Sequence, residues 1–248
     1  MRWIALALAG ALSANTAYAL APDTCEAPDY VTHAEGKLPR LADAVANERR
    51  LDILVFGTGS SVLPGPEGAN NAYPARLQSA LAGKLPGVAV TVKTDVKSRR
   101  TTADMVSDLP RIILDLKPDL VIWQTGTVDA MRGIEPDDFR AALEKGLKKI
   151  NAGGADAILV NMQYSPRTES MIASSAYVDN MRWVAQQFEI PLFDRLAVMK
   201  HWSENGAFDY TAPPSSKLAE RVHDCLGKLL AEMIVEVAHI NTAELKAK

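Results

Sequence analysis

The chain has 248 residues, of which 48% are hydrophobic and 23% charged, and its formal net charge is −3 at pH 7. This balance is typical of a folded globular protein, so the composition excludes a disordered chain. Two cysteines are too few to hold together a disulfide scaffold of this length. With 27 Lys and Arg against 30 Asp and Glu, the chain has no basic excess for binding nucleic acid or an anionic membrane.

Residues 1–19 have the pattern of an export signal. Arg2 precedes an apolar run over residues 3–12, and Ala17-Tyr18-Ala19 matches a small-residue cleavage site. A transmembrane anchor needs about 20 apolar residues, and polar residues interrupt this run too early. The sequence therefore predicts a cleaved signal peptide and a periplasmic or secreted protein. Residues 20–248 are expected to form one domain, with no membrane span after cleavage.

Export affects the interpretation of the two cysteines. Cys25 lies just inside the expected mature start, and Cys225 lies near the end of the chain. An even pair in an oxidising compartment favours a disulfide, which contributes about 4–5 kcal/mol for a loop of this length in the chain-entropy model. Two buried thiols are the alternative. Neither cysteine has a second Cys or a His at metal-ligand spacing, so no metal and no other cofactor is predicted.

Short apolar runs alternate with amphipathic helical segments along the chain. In chain order, the pattern predicts a helix at 37–49, a strand at 51–57, a helix at 73–85, a strand at 88–94, a helix at 102–116, a strand at 120–126, a helix at 136–152, a strand at 156–163, a helix at 173–188, a strand at 190–195 and a helix at 215–237. Strands that alternate with helices form a parallel sheet covered on both faces. The predicted fold is α/β, a flavodoxin-like three-layer α/β/α sandwich with a five-stranded parallel sheet.

Ligands of such sheets bind beyond the carboxyl ends of the strands. Four segments fall there: residues 57–61, the stretch after Thr94, residues 126–129 and residues 163–165. The glycine-rich turn at 57–61 lacks the spacing of a dinucleotide fingerprint, and no Gly-Lys follows it to make a P-loop. Its serines can act as a nucleophile or as helix caps.

Six pieces of sequence follow one another between about residues 51 and 234: LDILVFGTGSS, AYPARL, PDLVIWQTGT, NMQYSPR, LFDRLAVMKHW and HDCLGKLLAEMI. In this order and spacing, the chain resembles an exported bacterial branch of the SGNH/GDSL hydrolase superfamily. The resemblance implies an SGNH-hydrolase-like α/β/α domain with an esterase or acyl-transfer site at the strand ends. Its expected ligand is a carbohydrate or a small ester.

The catalytic blocks that the resemblance implies are substituted in this chain. The nucleophilic serine falls on Gly59, and a glycine that donates to the oxyanion falls near Arg99. An asparagine donor falls on Val128, expected at the end of a buried strand, and the final Asp-x-x-His falls on residues 214–217, which end in Lys217. Glycine has no atom to attack an acyl carbon, valine cannot donate to an oxyanion, and lysine is a poor general base at neutral pH. The four substitutions together favour a catalytically degenerate relative.

An active site remains an alternative if the turn after the first strand carries one extra residue. Ser60 would then be the nucleophile, with His223 as its base and Asp209 orienting the imidazole. His201 is a second candidate base. His223 also lies beside the apolar stripe of the last predicted helix, so a purely structural position at the border of the core is the competing interpretation.

Ligand contacts are expected at five positions near the strand ends: Gly59, Arg99, Thr127, Val128 and Tyr164. Four basic residues lie at and after the end of the second strand: Lys93, Lys97, Arg99 and Arg100. This cluster is either a solvated loop or a contact for an anion or a sugar acid. Three aromatic residues could present a face to a sugar: Trp123, Tyr164 and Trp202. Of these, Trp123 lies within a strand and is expected in the core.

Two functions follow from these patterns. One is an exported serine esterase or O-acyl (acetyl) hydrolase that acts on carbohydrate or small esters through Ser60. The other is a non-catalytic relative that binds a glycan, a small ligand or a partner protein in the same cleft. The substituted catalytic blocks favour the second, because function is decided by the site and not by the fold.

Overall fold

A computed structural model of the protein describes residues 25–247, with side chains described for residues 25–245. The signal peptide predicted at residues 1–19 lies outside the described residues. Within the described part of the chain, no helix combines the length and the hydrophobicity needed to cross a membrane.

Five strands form a parallel sheet in the order β2-β1-β3-β4-β5: β1 (Arg50–Gly57), β2 (Ala89–Val96), β3 (Leu120–Gln124), β4 (Asp156–Val160) and β5 (Leu192–Phe193). The register pairs Phe56 with Trp123, and Gln124 with Val160. Because the strands are parallel and in this register, the segments that follow β1, β3 and β4 meet at one edge of the sheet. The predicted sheet is confirmed.

Helices cover both faces of the sheet: α1 (Asp29–Thr32), α2 (Pro39–Asp43), α3 (Gly68–Asn71), α4 (Tyr73–Lys84), α5 (Thr102–Leu116), α6 (Thr127–Arg132), α7 (Pro136–Ala152), α8 (Pro166–Met171), α9 (Ser175–Gln187), α10 (Arg195–Glu204), α11 (Ser216–Val237) and α12 (Thr242–Ala247). A π-helical turn (Ala44–Glu48) continues α2, and a 3-10 turn (Gly59–Ser61) follows β1. All six predicted helices are present. The predicted strand at 190–195 is too long, because α10 begins at Arg195 and leaves only two residues in β5.

Alternating side chains of β1 build the two cores. Leu51, Ile53 and Val55 belong to the core beneath α4 and α11, whereas Leu54 and Phe56 belong to the core beneath α5, α7 and α9. Each fully buried side chain of this kind stabilises the fold by roughly 1.5–3 kcal/mol. The result is the predicted three-layer α/β/α sandwich.

A disulfide joins Cys25 to Cys225, with a Cα–Cα distance of 5.0 Å. It ties the first described residue to the middle of α11, as the sequence predicts. The alternative of two buried thiols is wrong.

Candidate ligand site at the strand ends

The turn after β1 is held by the side chain of Gln124, which is fully buried at the end of β3. Its Oε1 accepts hydrogen bonds from the backbone N–H and the hydroxyl of Thr58, both at 2.9 Å, and from the hydroxyl of Ser61 at 3.1 Å. The Ser61 and Tyr73 hydroxyls lie 3.0 Å apart. Sequence reasoning missed Gln124, although a lone polar residue at the end of an apolar strand is a usable signal.

Gly59, the position expected for the nucleophile, faces the hydroxyl of Ser98. A Cβ added at Gly59 would lie 2.9 Å from Ser98 Oγ, closer than real Cβ atoms approach other atoms. The next residue, Arg99, has a φ of 64°, in the left-handed region that favours glycine. This backbone conformation agrees with the position that sequence reasoning assigned to the glycine of the second block.

Ser60 is half-exposed and is in contact with a buried guanidinium. Arg195, the first residue of α10, is 1% exposed and donates to Ser60 Oγ at 3.1 Å and to the Ser60 carbonyl at 3.3 Å. Burial lowers the pKa of Arg195 to about 10. Sequence reasoning missed this arginine, because it ends the short apolar run that predicts a strand at 190–195.

His223 is buried against α4. Its Nδ1 accepts the backbone N–H of Tyr73 at 3.0 Å. Burial, together with the charge of Arg195, lowers the pKa of His223 to about 4. The imidazole is therefore neutral at pH 7, and one of its nitrogens is already engaged. This is the structural position at the core border that sequence reasoning weighed against a catalytic one.

Within the described chain, the three candidate catalytic residues are not linked by hydrogen bonds. Asp209 is exposed, and its Oδ1 accepts from the backbone and hydroxyl of Thr211 at 2.9 and 2.6 Å. Among the described residues, no hydrogen bond joins His223 to Ser60 or to Asp209. His201, the second candidate base, lies on α10 with its ring 2.8 Å from the Asn205 amide.

Two of the expected ligand residues, Thr127 and Tyr164, line one small cavity between the ends of β3 and β4. Its volume is about 40 Å³, and Met162 and Leu196 complete its apolar wall. Thr127 Oγ1 is buried and has no hydrogen-bond partner among the described residues. An unpaired buried hydroxyl is costly, which makes it a natural contact for a polar ligand atom.

Val128 does not lie at the end of a buried strand, because β3 ends at Gln124, two residues earlier than predicted. It is half-buried in the first turn of α6. The expectation that a polar side chain at this position would be buried is therefore wrong.

Asp129, the next residue, was missed by sequence reasoning. It is 1% exposed and accepts the backbone N–H of Thr102 at 3.0 Å and its hydroxyl at 2.9 Å. Burial raises the pKa of Asp129. The carboxylate fastens the start of α5 to α6, beside the cavity of Thr127. An acidic residue directly after the third block was the available signal.

Two of the four residues of the basic cluster, Lys97 and Arg100, are neutralised by ion pairs. Arg100 is 8% exposed, pairs with Asp95 at 2.7 Å and with Asp108 at 3.2 Å, and lies over the Phe56 ring. Lys97 also reaches Asp108, at 3.3 Å. Arg99 is exposed and makes no ion pair among the described residues.

The aromatic residues expected near a sugar are mostly in the core. Trp123 and Trp202 are fully buried, so the suggestion that Trp202 presents a face to a sugar is wrong. Tyr164 is 9% exposed, with its ring edge-on to Tyr210. Of the three, Tyr164 alone borders the cavity.

A larger groove of about 780 Å³ lies at the β5 edge of the sheet, between residues 30–37 and α9. Charged side chains pair across it, Lys37 with Glu189 at 2.6 Å and Arg182 with Asp194 at 2.7 Å. Because these charges satisfy one another, the smaller cavity with its unpaired hydroxyl is the better candidate for a specific ligand contact.

A parallel α/β/α sandwich with a polar turn and a cavity at the strand ends is the architecture of the SGNH/GDSL hydrolase superfamily. Residues 24–240 match the non-GDSL lipase-like family, and the chain belongs to that family. The superfamily that the sequence pointed to is confirmed.

Known relatives are esterases and acylhydrolases. The chain is 30% identical over 114 residues to Esterase TesA of Pseudomonas aeruginosa, a match that covers 46% of this chain and 55% of that protein. The chain thus spans about half the length of this relative. In fold it is similar to the lipase/acylhydrolase from Enterococcus faecalis (TM-score 0.59, 22% identity, 75% of this chain and 95% of the other). It is also similar to a two-domain esterase active on acetylated mannans (TM-score 0.69, 14% identity, 86% and 57%).

Proposed function

We propose that this protein binds an acylated carbohydrate or a small ester at the strand ends and does not hydrolyse it. The observation that carries the proposal is Gly59. The expected nucleophile position has no side chain, and Ser98 Oγ fills the space that a Cβ would need, at 2.9 Å. Without a nucleophile no acyl intermediate forms.

The environment of the candidate base supports the same proposal. A general base must come within hydrogen-bond distance of the hydroxyl that it deprotonates. His223 Nδ1 instead accepts a backbone N–H, and its pKa of about 4 makes the imidazole a weak base. Asp209 caps its own exposed turn through Thr211.

The cavity lined by Thr127 and Tyr164 supplies the binding contact. Its volume of about 40 Å³ exceeds that needed for one water, and it suits a group of a few heavy atoms such as an acetyl. The unpaired Thr127 hydroxyl would donate to the acyl oxygen, while the sugar ring stays outside the cavity. The two-domain esterase of similar fold, active on acetylated mannans, supports an acylated carbohydrate as the ligand.

One observation favours the alternative, an active serine esterase. The guanidinium of Arg195 donates to Ser60 Oγ at 3.1 Å, and a cation at this distance would stabilise a serine alkoxide. Ser60 is also half-exposed at the strand ends. This alternative still requires a base that accepts the proton of the Ser60 hydroxyl.

We further propose that the protein acts outside the cytoplasm, in the periplasm or as a secreted protein. The signal-like pattern of residues 1–19 and the Cys25–Cys225 disulfide support an oxidising compartment. Residues 20–248 would be the mature chain, folded as one domain.

The test uses the purified mature protein with a panel of p-nitrophenyl esters and with acetylated manno-oligosaccharides. We expect no ester hydrolysis above the buffer rate in the wild type or in Ser60→Ala, and we expect calorimetric binding of the acetylated oligosaccharide. Thr127→Val should weaken that binding about threefold to tenfold, the effect of one hydrogen bond. Thr91→Val, on exposed β2 away from the site, is the matched control and should leave binding unchanged.

Hydrolysis by the wild type that is lost in Ser60→Ala would establish the esterase alternative. Hydrolysis that is equal in both proteins would also overturn the proposal, and would point to a different nucleophile. Absence of binding in the wild type would remove the proposed ligand class.

A further inference from the structure

The buried guanidinium of Arg195 has no counter-charge. It is 1% exposed, and no acidic side chain of the described residues pairs with it. Its Nε is buried without a hydrogen-bond partner. Proteins normally pair a buried charge, because its transfer out of water is strongly unfavourable. A cation in this state is suited to an anion supplied from outside the chain.

Arg195 acts on the site through Ser60. Its guanidinium donates to Ser60 Oγ at 3.1 Å, so the serine proton must point away from the arginine. Ser60 Oγ has no other hydrogen-bond partner among the described residues. Since Ser60 is half-exposed, its O–H is available as a donor to a ligand, and the cation behind it strengthens that donation.

Ser98 lies beside Gly59, and Arg99 follows it in the chain. Ser98 is exposed, its Oγ lies 2.9 Å from the Cβ that Gly59 lacks, and within the described chain it makes no hydrogen bond. Arg99 follows it, also exposed and without an ion pair among the residues described. The neighbouring carboxylates, Asp95 and Asp108, are taken by Arg100 and Lys97, so they do not neutralise Arg99.

We propose that this cluster, Ser60, Ser98, Arg99 and the buried Arg195, binds an anionic oxygen group of the carbohydrate ligand. That group is the carboxylate of a uronic acid or the sulfate ester of a sugar. The inference rests on the proposed function and narrows its ligand to an acidic carbohydrate. Two hydroxyl donors and one exposed guanidinium would contact the anion directly, while Arg195 acts as a positioning residue behind Ser60.

The experiment compares acidic carbohydrates with their neutral counterparts. Calorimetric titrations use trigalacturonate against its methyl ester, and a sulfated galactose disaccharide against its desulfated form, at low and at moderate salt. We expect one charged form to bind about tenfold tighter than its neutral counterpart, and the difference to shrink with added salt. The pair that shows the difference identifies the anion as carboxylate or sulfate.

Single substitutions show which residues produce the preference for the charged ligand. Arg99→Gln and Ser60→Ala should each reduce binding of the charged form about threefold to fivefold and leave the neutral form unchanged. The matched control is Arg111→Gln, which removes the same charge from an exposed position on α5. It should change the affinity for neither the charged nor the neutral form. Arg99 is exposed and Ser60 is partly exposed, so both variants are expected to fold.

Equal affinity for charged and neutral forms would overturn this inference and leave the proposed function standing. A charge preference that survives Arg99→Gln and Ser60→Ala would overturn the assignment to this cluster. If neither these ligands nor the acetylated oligosaccharide bind, both this inference and the proposed function are overturned.

Discussion

The two halves of the strand-end site use their polar groups differently. At the end of β1, Gln124 Oε1 accepts three hydrogen bonds from the turn, and Ser98 Oγ lies next to Gly59 where a Cβ would stand. At the ends of β3 and β4, Thr127, whose hydroxyl is unpaired, lines a cavity of about 40 Å³. The half in which relatives would carry a nucleophile has its turn tied by the protein's own hydrogen bonds, whereas the other half contains a cavity.

This contrast separates stability from binding. Changes at Gln124 should alter the free energy of unfolding, because its Oε1 is the shared acceptor of the β1 turn. Changes at Thr127 should alter affinity, because its hydroxyl has no partner among the described residues. We expect the following substitutions to show whether the β1 half supports the fold and lacks a catalytic site.

The largest effect is expected from Gln124→Leu. The substitution leaves the Thr58 N–H and the hydroxyls of Thr58 and Ser61 without their buried acceptor, which should destabilise the fold by about 2–4 kcal/mol in chemical denaturation. The control is Gln78→Leu, whose exposed amide accepts only the backbone N–H of Val92. This control substitution should lower the free energy of unfolding by less than about 1 kcal/mol. If both variants lose equally little, the amide does not hold the turn.

The pH dependence of stability tests the buried imidazole of the same half. His223 has an unfolded pKa of 6.5 and a folded pKa of about 4, so between these values the unfolded chain binds the proton and the folded one does not. Its contribution to stability is therefore complete above pH 6.5 and is lost progressively as the pH falls toward 4, by up to about 3 kcal/mol.

The matched variants for this prediction are His223→Asn and His201→Asn. The first keeps an acceptor for the Tyr73 N–H and should flatten the pH dependence between 4 and 6.5. The second replaces a partly exposed histidine of α10 and should leave the pH dependence of stability unchanged. A wild-type curve that matches that of His223→Asn would contradict the lowered pKa.

A smaller loss is expected from Gly59→Ser. Its Cβ would approach Ser98 Oγ to 2.9 Å, but Ser98 is exposed and its hydroxyl can rotate away, so the cost should stay below about 1 kcal/mol. Adding Ser98→Ala leaves only the Ser98 Cβ, 3.7 Å away, and should recover that stability. Neither variant should hydrolyse esters. Esterase activity in Gly59→Ser would show that a working base is already present, and the non-catalytic proposal would fail.

The smallest effect is expected from Val128→Asn. Because Val128 is half-buried in the first turn of α6, the amide can reach water, and stability should stay within about 0.5 kcal/mol. No esterase activity should appear, because a nucleophile, its base and the oxyanion donors act as a unit. A tenfold or greater rise in ester hydrolysis would show that a working nucleophile and base are already present, and the non-catalytic proposal would fail.

The strands and helices were predictable because local rules determine them. The sequence-predicted bounds of α5 and α7, residues 102–116 and 136–152, match the structure. At the first, Thr101 and Asp104 form a capping box, and at the second, Pro136 starts the helix. Helices of four to six residues, such as α3 and α6, escaped prediction because they are too short to show a helical period.

The sequence by itself determined the parallel sheet and the segments that meet at the strand ends, because hydrophobic periodicity and chain order decide these features. It favoured the disulfide through an even cysteine pair behind an export signal. It indicated Gly59, Thr127 and Tyr164, which lie within four residues after the ends of β1, β3 and β4. Only the tertiary structure decided which side chains point into the site and contact one another there. Arg195 points inward because α10 starts there and packs against the β1 turn, whereas His223 and Asp209 separate because one lies on the buried face of α11 and the other in an exposed loop. Such contacts depend on how elements distant in sequence pack together, which no local pattern encodes.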